Sequence, residues 1–514
     1  MNETKQIKAG ALLSYFGVAI NILAGLLYTP WMVRQIGQSD YGLYTLATSV
    51  TAFFLMDFGI SGAISRLISR YRAQGREDEV KNILGLTYKM YLVIDGLIFL
   101  ALFIIFLFMQ NIFVRLSAAE IEKFRIVFVM VGFYSLLSFP FIPLNSILTS
   151  YEKFTALKGF DIFSKLLSIS LVCSVLFLGL GLYALVLTNC LSAIVIIVLK
   201  LIYLKRSVHI KINFKFKDKK MLLNIFSFSI WATIISVAAR LIINISPSIL
   251  GMFSGAIQIS VFSYGASLEG YTWMLANALN GLLLPKVTRI TVQENNPEKI
   301  TSLMIKVGRI QLLIIGLVAV GLITMGKEFI ILLMGENFAN SYYVALCLIL
   351  PGVVTMTQDV AYNYLVAMNE IKWRALDYIG ASVISILLSL LLTPKFGAVG
   401  AGVAAGIGIV IGHVIVMNVI YHRVFHLDIP RFFKECHLKL ALPMILTAAV
   451  AILLQVLFPV HSLILFFVKA VAVGAVYVLL MGLIGLNSFE KQLFLGPVMK
   501  IGNAIKAKFG KRSS

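Results

Sequence analysis

Two charged residues stand where charge is expensive. In "WATIISVAARLIINISPS", Arg240 has apolar or small neighbours on both sides. In "SYGASLEGYTWMLANALNGLLLP", Glu269 is embedded in an equally apolar run. An ionised side chain inside hydrocarbon needs either a partner or a task. A guanidinium is planar, permanently charged and able to give two parallel hydrogen bonds, a geometry that suits phosphate oxygens. A carboxylate can neutralise that cation or, once desolvated, hold a proton. Arg240 lies about ten residues before the outer turn near 251–257 and Glu269 about eleven after it, so at 1.5 Å per residue both are roughly 15 Å deep. Two readings follow. Either the pair neutralises itself and locks the hairpin, or it borders a water-filled cavity where Arg240 takes an anionic substrate and Glu269 is the competing anion.

Other polar residues fall within apolar runs. Asp57 in "FFLMDFGISG" and Asp95 in "YLVIDGLIFL" belong to the inner halves of consecutive spans, and Asp359 follows Gln358 in "TMTQDVAYNYLVAMNE". With Glu269, these are the candidates to bind a coupling ion. Tyr264, Tyr271 and Trp273 flank Glu269 and offer ring faces to a sugar. Asp161 and Lys165 are four apart, the spacing of a local ion pair, and Lys469 is close enough to an outer helix end to snorkel. Of the histidines, only His413 lies well inside a span. Cys173, Cys190, Cys347 and Cys436 are dispersed, with neither a disulfide framework nor metal-ligand spacing. No P-loop, HExxH or nucleophile–base constellation is present, so no enzyme, cofactor or metal is expected.

The elements that must position these groups are membrane helices. The chain of 514 residues is 60% hydrophobic and only 13% charged, against about a quarter charged in soluble proteins. Apolar runs of about 18–25 residues recur throughout, each long enough to cross about 30 Å of hydrocarbon. About fourteen spans result, near 10–33, 41–64, 85–109, 125–147, 159–179, 182–203, 225–250, 258–284, 308–333, 342–366, 376–393, 398–421, 438–457 and 463–486. The first follows a short basic segment, MNETKQIK, and reads as an uncleaved helix.

The net charge of +21 is not a nucleic-acid signal, because the bases cluster in alternate loops. "RLISRYRAQGREDEVK", "KRSVHIKINFKFKDKK" and the tail "KIGNAIKAKFGKRSS" are basic, whereas "QIGQSD" and "GMFSGAIQ" carry no base. That asymmetry places both termini in the cytoplasm and lets the basic loops meet anionic lipid headgroups. The linker at 205–222 divides an N-terminal lobe of six spans (1–204) from a C-terminal one (223–423), leaving a terminal pair and basic tail (424–514). A faint repeat supports the split: "GLGLYALVLTNCLSAIVIIVLKLIYLKR" and "FGAVGAGVAAGIGIVIGHVIVMNVIYHR" each begin with glycines and end in Tyr-x-Arg/Lys. Two-repeat transporters bind substrate between their halves near the midplane.

Three stretches carry a family resemblance. "LYTPWMVRQIGQSDYGLYTLATSVTAFFLMDFGISGAISRLISRY" resembles the first two helices of bacterial polysaccharide-export flippases of the Wzx type. "PKFGAVGAGVAAGIG" is similar to their motif between the eleventh and twelfth helices, and "VFSYGASLEG…LLLPKVTRI" to their eighth. The resemblance implies a fourteen-helix, MATE-like fold that moves undecaprenyl-diphosphate-linked oligosaccharide from the inner to the outer leaflet of the bacterial cell membrane. It matches Arg240 to a charged position of the family's seventh helix and implies work beside a polysaccharide polymerase and export machinery; together with the residue reading it gives substrate contacts by Arg240, Glu269, Tyr264 and Tyr271, and ion coupling through Glu269, Asp359, Asp57 or Asp95. Many relatives have an Asp before the basic residue of the seventh helix, where this chain has Ala239. The paired charges near the first-helix start of lipid II flippases are absent from "ALLSYFGVAINILAG". The competing expectations are a MATE-type drug exporter, with a carboxylate-lined cavity and no central Arg, and a membrane glycosyltransferase or polymerase, which the short outer loops disfavour.

Overall fold

The computed structural model describes residues 3–56, 58–208, 212–277, 283–294, 296–459 and 462–492, and no strand occurs among them. The first helices are α1 (Glu3–Ile36), α2 (Gln38–Ala52), α3 (Ile60–Ala73), α4 (Glu77–Leu107) and the short α5 (Met109–Ile112). Next come α6 (Ala118–Ser138), α7 (Pro143–Ser150), α8 (Phe154–Phe177), α9 (Gly181–Ser207), α10 (Lys219–Ile243) and α11 (Ser246–Phe253). The middle holds α12 (Ala256–Asn277), α13 (Leu283–Glu294), α14 (Pro297–Met334), α15 (Ser341–Met356) and α16 (Asp359–Ala367). The chain ends in α17 (Lys372–Ile409), α18 (Met417–Arg423), α19 (Ile429–Phe432), α20 (Lys439–Leu457) and α21 (Leu463–Leu480). Ten helical stretches among the described residues are long and apolar enough to cross a bilayer. The protein is an all-helical, multi-pass membrane protein.

Several expected spans are broken. The stretch 125–147 is interrupted between α6 and α7, where Pro140 and Pro143 withhold backbone donors. The stretch 225–250 parts into α10 and α11 just before Pro247. The stretch 41–64 breaks between α2 and α3 without any proline, through left-handed Phe58 (φ 49°) and Gly59 (φ 65°). In a membrane a freed carbonyl needs a donor from protein or water, and here the Thr233 hydroxyl of α10 donates to the Phe58 carbonyl. The stretch 342–366 breaks at Thr357–Gln358 rather than at Pro351, which stays inside α15.

Packing groups the chain into two compact units. One contains Met1–Met274, Glu336–Pro351 and Asn369–Met417, and the other contains Leu275–Gly335, Gly352–Met368 and Asn418–Ser514. In the first, the Tyr91 and Phe139 rings meet at 5.1 Å and Phe113 stands edge-on to Phe124 at 5.3 Å. Ser117 caps α6 reciprocally with Glu120, and Lys123 of α6 bridges to Asp40 of α2 at 2.8 Å. In the second, α14 runs against α20 and α21. There Phe329 packs on Phe466 beside Met325, Ala451 and Val473.

The glycine-rich motif makes a close hairpin in the first unit. Gly397 (φ 55°, ψ −133°) turns α17 back on itself. A Cβ on Gly408 would stand 2.7 Å from the Ala381 carbonyl oxygen, and one on Gly406 would stand 2.5 Å from the Cys347 carbonyl oxygen. Small residues thus let the returning leg touch both its outgoing leg and α15 at backbone distance. The Gln258 side chain receives the Ala398 N–H at 3.0 Å and covers the turn, where a Gly397 Cβ would meet its Oε1 at 2.6 Å. Replacing Gly397 with valine is therefore expected to destabilise the fold by about 1–3 kcal/mol. The check is the temperature at which the purified protein loses its monodisperse peak, with Gly380→Ala, which meets no neighbour, as control.

Candidate functional site

Arg240 occupies the last turn of α10, not the centre of an unbroken helix. Its guanidinium is half-buried, and among the described residues it makes no ion pair. Helix C-termini concentrate carbonyl oxygens and partial negative charge, which favours a cation there. Two of those carbonyls are already engaged. That of Arg240 accepts from the Asn244 N–H at 2.8 Å, and that of Ile242 accepts from the Ser385 hydroxyl of α17 at 3.2 Å. Arg240 also comes two turns after Thr233, so both leave the same side of α10. That side carries the hydroxyl bonded to the α2–α3 break.

The ion pair suggested by equal depth does not form. Glu269 is buried in α12 at 7% exposure, and the Trp273 indole, one turn further on, hydrogen-bonds its carboxylate. Equal depth is necessary for a pair but says nothing of azimuth, and a local donor on its own helix engages Glu269. The two residues should therefore act independently. A double-mutant cycle of Arg240→Ala with Glu269→Gln is expected to give a coupling below about 0.5 kcal/mol in transport rate, and a larger coupling would restore the lock.

The ring residues divide. Tyr264 is 1% exposed, with its ring edge-on to Phe338 at 5.9 Å and its hydroxyl unpartnered, so it is packed core rather than a sugar platform in this conformation. Tyr271 is half-buried, and its hydroxyl lies over Gly25 of α1, within reach of Thr29. Asp95 is half-buried on α4, with one carboxylate oxygen buried and unpartnered. Asp57 lies outside the described residues. Asp359 belongs to the second unit, in the first turn of α16, where Gln311 of α14 donates to it at 2.6 Å. Beside it Gln358 donates to Asn418 at 2.7 Å. A buried carboxamide row thus fills the α15–α16 break.

Two sequence readings need correction. Asp161 pairs with Lys158 at 3.7 Å and not with Lys165, because the carboxylate is exposed and Lys165 half-buried. Lys469 is held by protein partners: it is 6% exposed, donates to Gln455 at 3.0 Å and to the Phe458 carbonyl at the end of α20 at 3.3 Å, and lies 4.0 Å from the Glu328 carboxylate.

The structure also assembles groups that sequence reasoning left apart. His413 Nδ1 lies 2.5 Å from Asp377 Oδ2, with the Tyr378 ring tilted over the imidazole at a centroid distance of 4.2 Å. Arg309 and Glu490 form a buried bidentate pair at 2.5 and 2.8 Å. Lys200 is buried and donates to Asn145 at 2.9 Å. The only signal for the first was an Asp and a His on opposite sides of a glycine turn. For the second, 181 residues apart, there was none.

This fold defines a class. It superposes on a lipid II flippase MurJ in an inward closed conformation with a TM-score of 0.69 at 15% identity, covering 97% of this chain and 99% of that one. It also matches an inward-facing multidrug resistance MATE family transporter of the MOP superfamily, with a TM-score of 0.64 at 13% identity over 83% of this chain and 98% of that one. The helical architecture is therefore similar to that of these two solved structures. Within that class the particular kinship is set by sequence: residues 7–291 match the polysaccharide biosynthesis protein family, and the chain belongs to it. A Shigella flexneri relative assigned as an O-antigen transporter is 22% identical over 402 residues, 75% of this chain and 91% of that protein.

Proposed function

We propose that this protein is a flippase carrying undecaprenyl-diphosphate-linked oligosaccharide from the inner to the outer leaflet, by alternating access of two helical lobes. The observation that carries the reading is Arg240, a guanidinium without an ion pair among the described residues, at a broken span of a polysaccharide biosynthesis family member. A diphosphate cannot cross hydrocarbon unaided, and a planar cation at that depth gives it a charge-assisted resting point. The lipid tail stays among the helices while the polar head passes. We read the chain as a transporter rather than an enzyme, in a bacterial cytoplasmic membrane with both termini inside. Its lobes are 1–204 and 223–423, and its partners are membrane lipid and the polymerase and export machinery that use its product.

The test is complementation of a host lacking its own O-antigen-type flippase. Expression is expected to restore surface polymer and to clear lipid-linked oligosaccharide accumulated on the inner leaflet, with susceptibility to cationic drugs unchanged. Drug resistance without restored polymer would instead select the MATE-type exporter.

A further inference from the structure

We infer that Asp377 and His413 form a proton-binding site, inside the first unit, that couples proton movement to the transport cycle; this rests on the transporter reading above. The pair joins the two legs of the Gly397 hairpin, with Asp377 near the start of α17 and His413 at the centre of a π-helical segment, Val410–Val416. The Nδ1–Oδ2 distance is 2.5 Å, and the aspartate and imidazole side chains are 1% and 12% exposed. Asp377 Oδ1 is buried and has no hydrogen-bond partner. A Cβ on Gly412 would come within 3.0 Å of that same oxygen, so glycine is what admits the carboxylate.

Other buried polar groups differ from this pair in how their capacity is used. Glu490 is saturated by Arg309 and by both nitrogens of Asn487, leaving nothing for a proton to do. His437, also on a π-helical segment (Phe433–Leu438), reaches only the Thr357 hydroxyl, at 3.3 Å. Among the described residues, only at His413 does an imidazole meet a buried carboxylate with spare acceptor capacity. With neutral imidazole donating its Nδ1–H to the carboxylate, the pair has charge −1. One added proton on Nε2 gives imidazolium against carboxylate and charge zero. Within a membrane helix pair that change is worth exploiting, because the desolvated net charge appears or vanishes with a single proton. Single-turn π segments recur at functional sites and supply a backbone able to shift register.

The surrounding charges are compatible. On α17, Arg374 donates to the Tyr378 hydroxyl at 3.1 Å, and that ring lies on His413. Lys372 pairs with Glu370 at 2.9 Å. Of the elements packed on the hairpin, α10 carries Lys219, Lys220 and Arg240, α11 has no ionisable side chain, α12, whose Gln258 covers the turn, carries Tyr264, Glu269 and Tyr271, and α15 offers Tyr342, Tyr343 and Cys347. No ion pair to Asp377 other than that of His413 occurs among the described residues. Protonation of the pair therefore changes the field felt along α10, whose last turn holds Arg240.

The experiment uses the full-length protein in two arms. In the first, nitrogen-15 histidine labelling reports the His413 imidazolium from about pH 5 to pH 9. A His413 signal that responds to pH across that range is expected, with that response altered in Asp377→Asn and restored in Asp377→Glu. A His413 signal unchanged across that range, or unaffected by Asp377→Asn, overturns the site. In the second, proteoliposomes holding lipid-linked oligosaccharide are given an imposed proton gradient. The gradient is expected to accelerate flipping in wild type, and His413→Gln to lose about tenfold of that acceleration. If His413→Gln retains it, or wild type is indifferent to the gradient, the coupling role falls. If wild type moves no lipid-linked oligosaccharide under any gradient, the flippase reading fails, and the first arm still decides the proton site. Should Asp377→Asn fail to insert, the wild-type titration and Asp377→Glu carry the decision.

Discussion

Arg240→Ala is expected to cut polymer export roughly 10–100-fold while the protein remains inserted and abundant, since one or two charge-assisted hydrogen bonds to the diphosphate are lost. The stability side of the argument is as important as the transport side. A buried cation held by a carboxylate leaves an unpaired charge when either partner is removed, and the fold suffers. Arg240 has no such partner among the described residues, and its half-buried position at a helix C-terminus is tolerable without one. Alanine should therefore leave the membrane level near wild type. Arg240→Lys keeps the charge but replaces a planar fork by a point charge, so export should fall to an intermediate level. Glu269→Gln should not reproduce the alanine phenotype, because the Glu269 carboxylate is tied to Trp273 on its own helix. Polymer on the surface and tagged protein in the membrane, measured on the same cultures, decide the matter. Unchanged export in Arg240→Ala would place the diphosphate elsewhere. Export lost together with the protein would make Arg240 a structural residue.

How far the sequence reached follows from which interactions leave a local trace. Hydropathy runs made the all-helical membrane architecture legible, because a span must be apolar along its whole length. The motif "PKFGAVGAGVAAGIG" was visible as a glycine cluster, and its use is now plain: Gly397 turns and Gly406 and Gly408 allow backbone contact. Pro140 and Pro143 stand at the break at α6–α7. No proline stands at the break at α2–α3, where Phe58 and Gly59 adopt left-handed backbone and the compensating donor, Thr233, is 175 residues away. The depth argument for Arg240 and Glu269 placed both residues at a plausible level, yet depth is one coordinate of three. Azimuth depends on which neighbours each helix chooses, and that choice is made by packing over the whole surface of the helix. Asp377 escaped notice for a related reason. It stands close to the start of its span, where a carboxylate is unremarked, and only the returning leg brings His413 to it.

The largest effect on stability is expected at Arg309 and Glu490. Arg309 of α14 is 4% exposed and Glu490 is 1% exposed. The guanidinium gives two bonds to the carboxylate and one each to the carbonyls of Glu435 and Gly485, at 2.8 and 2.7 Å. Asn487 gives the carboxylate a backbone N–H at 3.0 Å and a side-chain N–H at 3.1 Å. Three separate stretches of the second unit, at Arg309, Glu435 and 485–490, are thus gathered on one ion pair. Removing one partner of such a pair costs about 3–5 kcal/mol, because the other charge stays buried and uncompensated. The two single variants should not be equal. Left alone by Arg309→Ala, Glu490 keeps both Asn487 donors and can take up a proton. Left alone by Glu490→Ala, Arg309 keeps two carbonyl acceptors but cannot lose its charge. Glu490→Ala is therefore expected to be the more damaging, with most of the full-length protein lost from the membrane, Arg309→Ala next, and the apolar double variant Arg309→Met with Glu490→Leu recovering part of the loss. Thermal unfolding of fluorescently tagged protein in detergent ranks the three. If Arg309→Ala proves the worse, the carbonyls of Glu435 and Gly485, rather than the ion pair, are what the guanidinium chiefly serves.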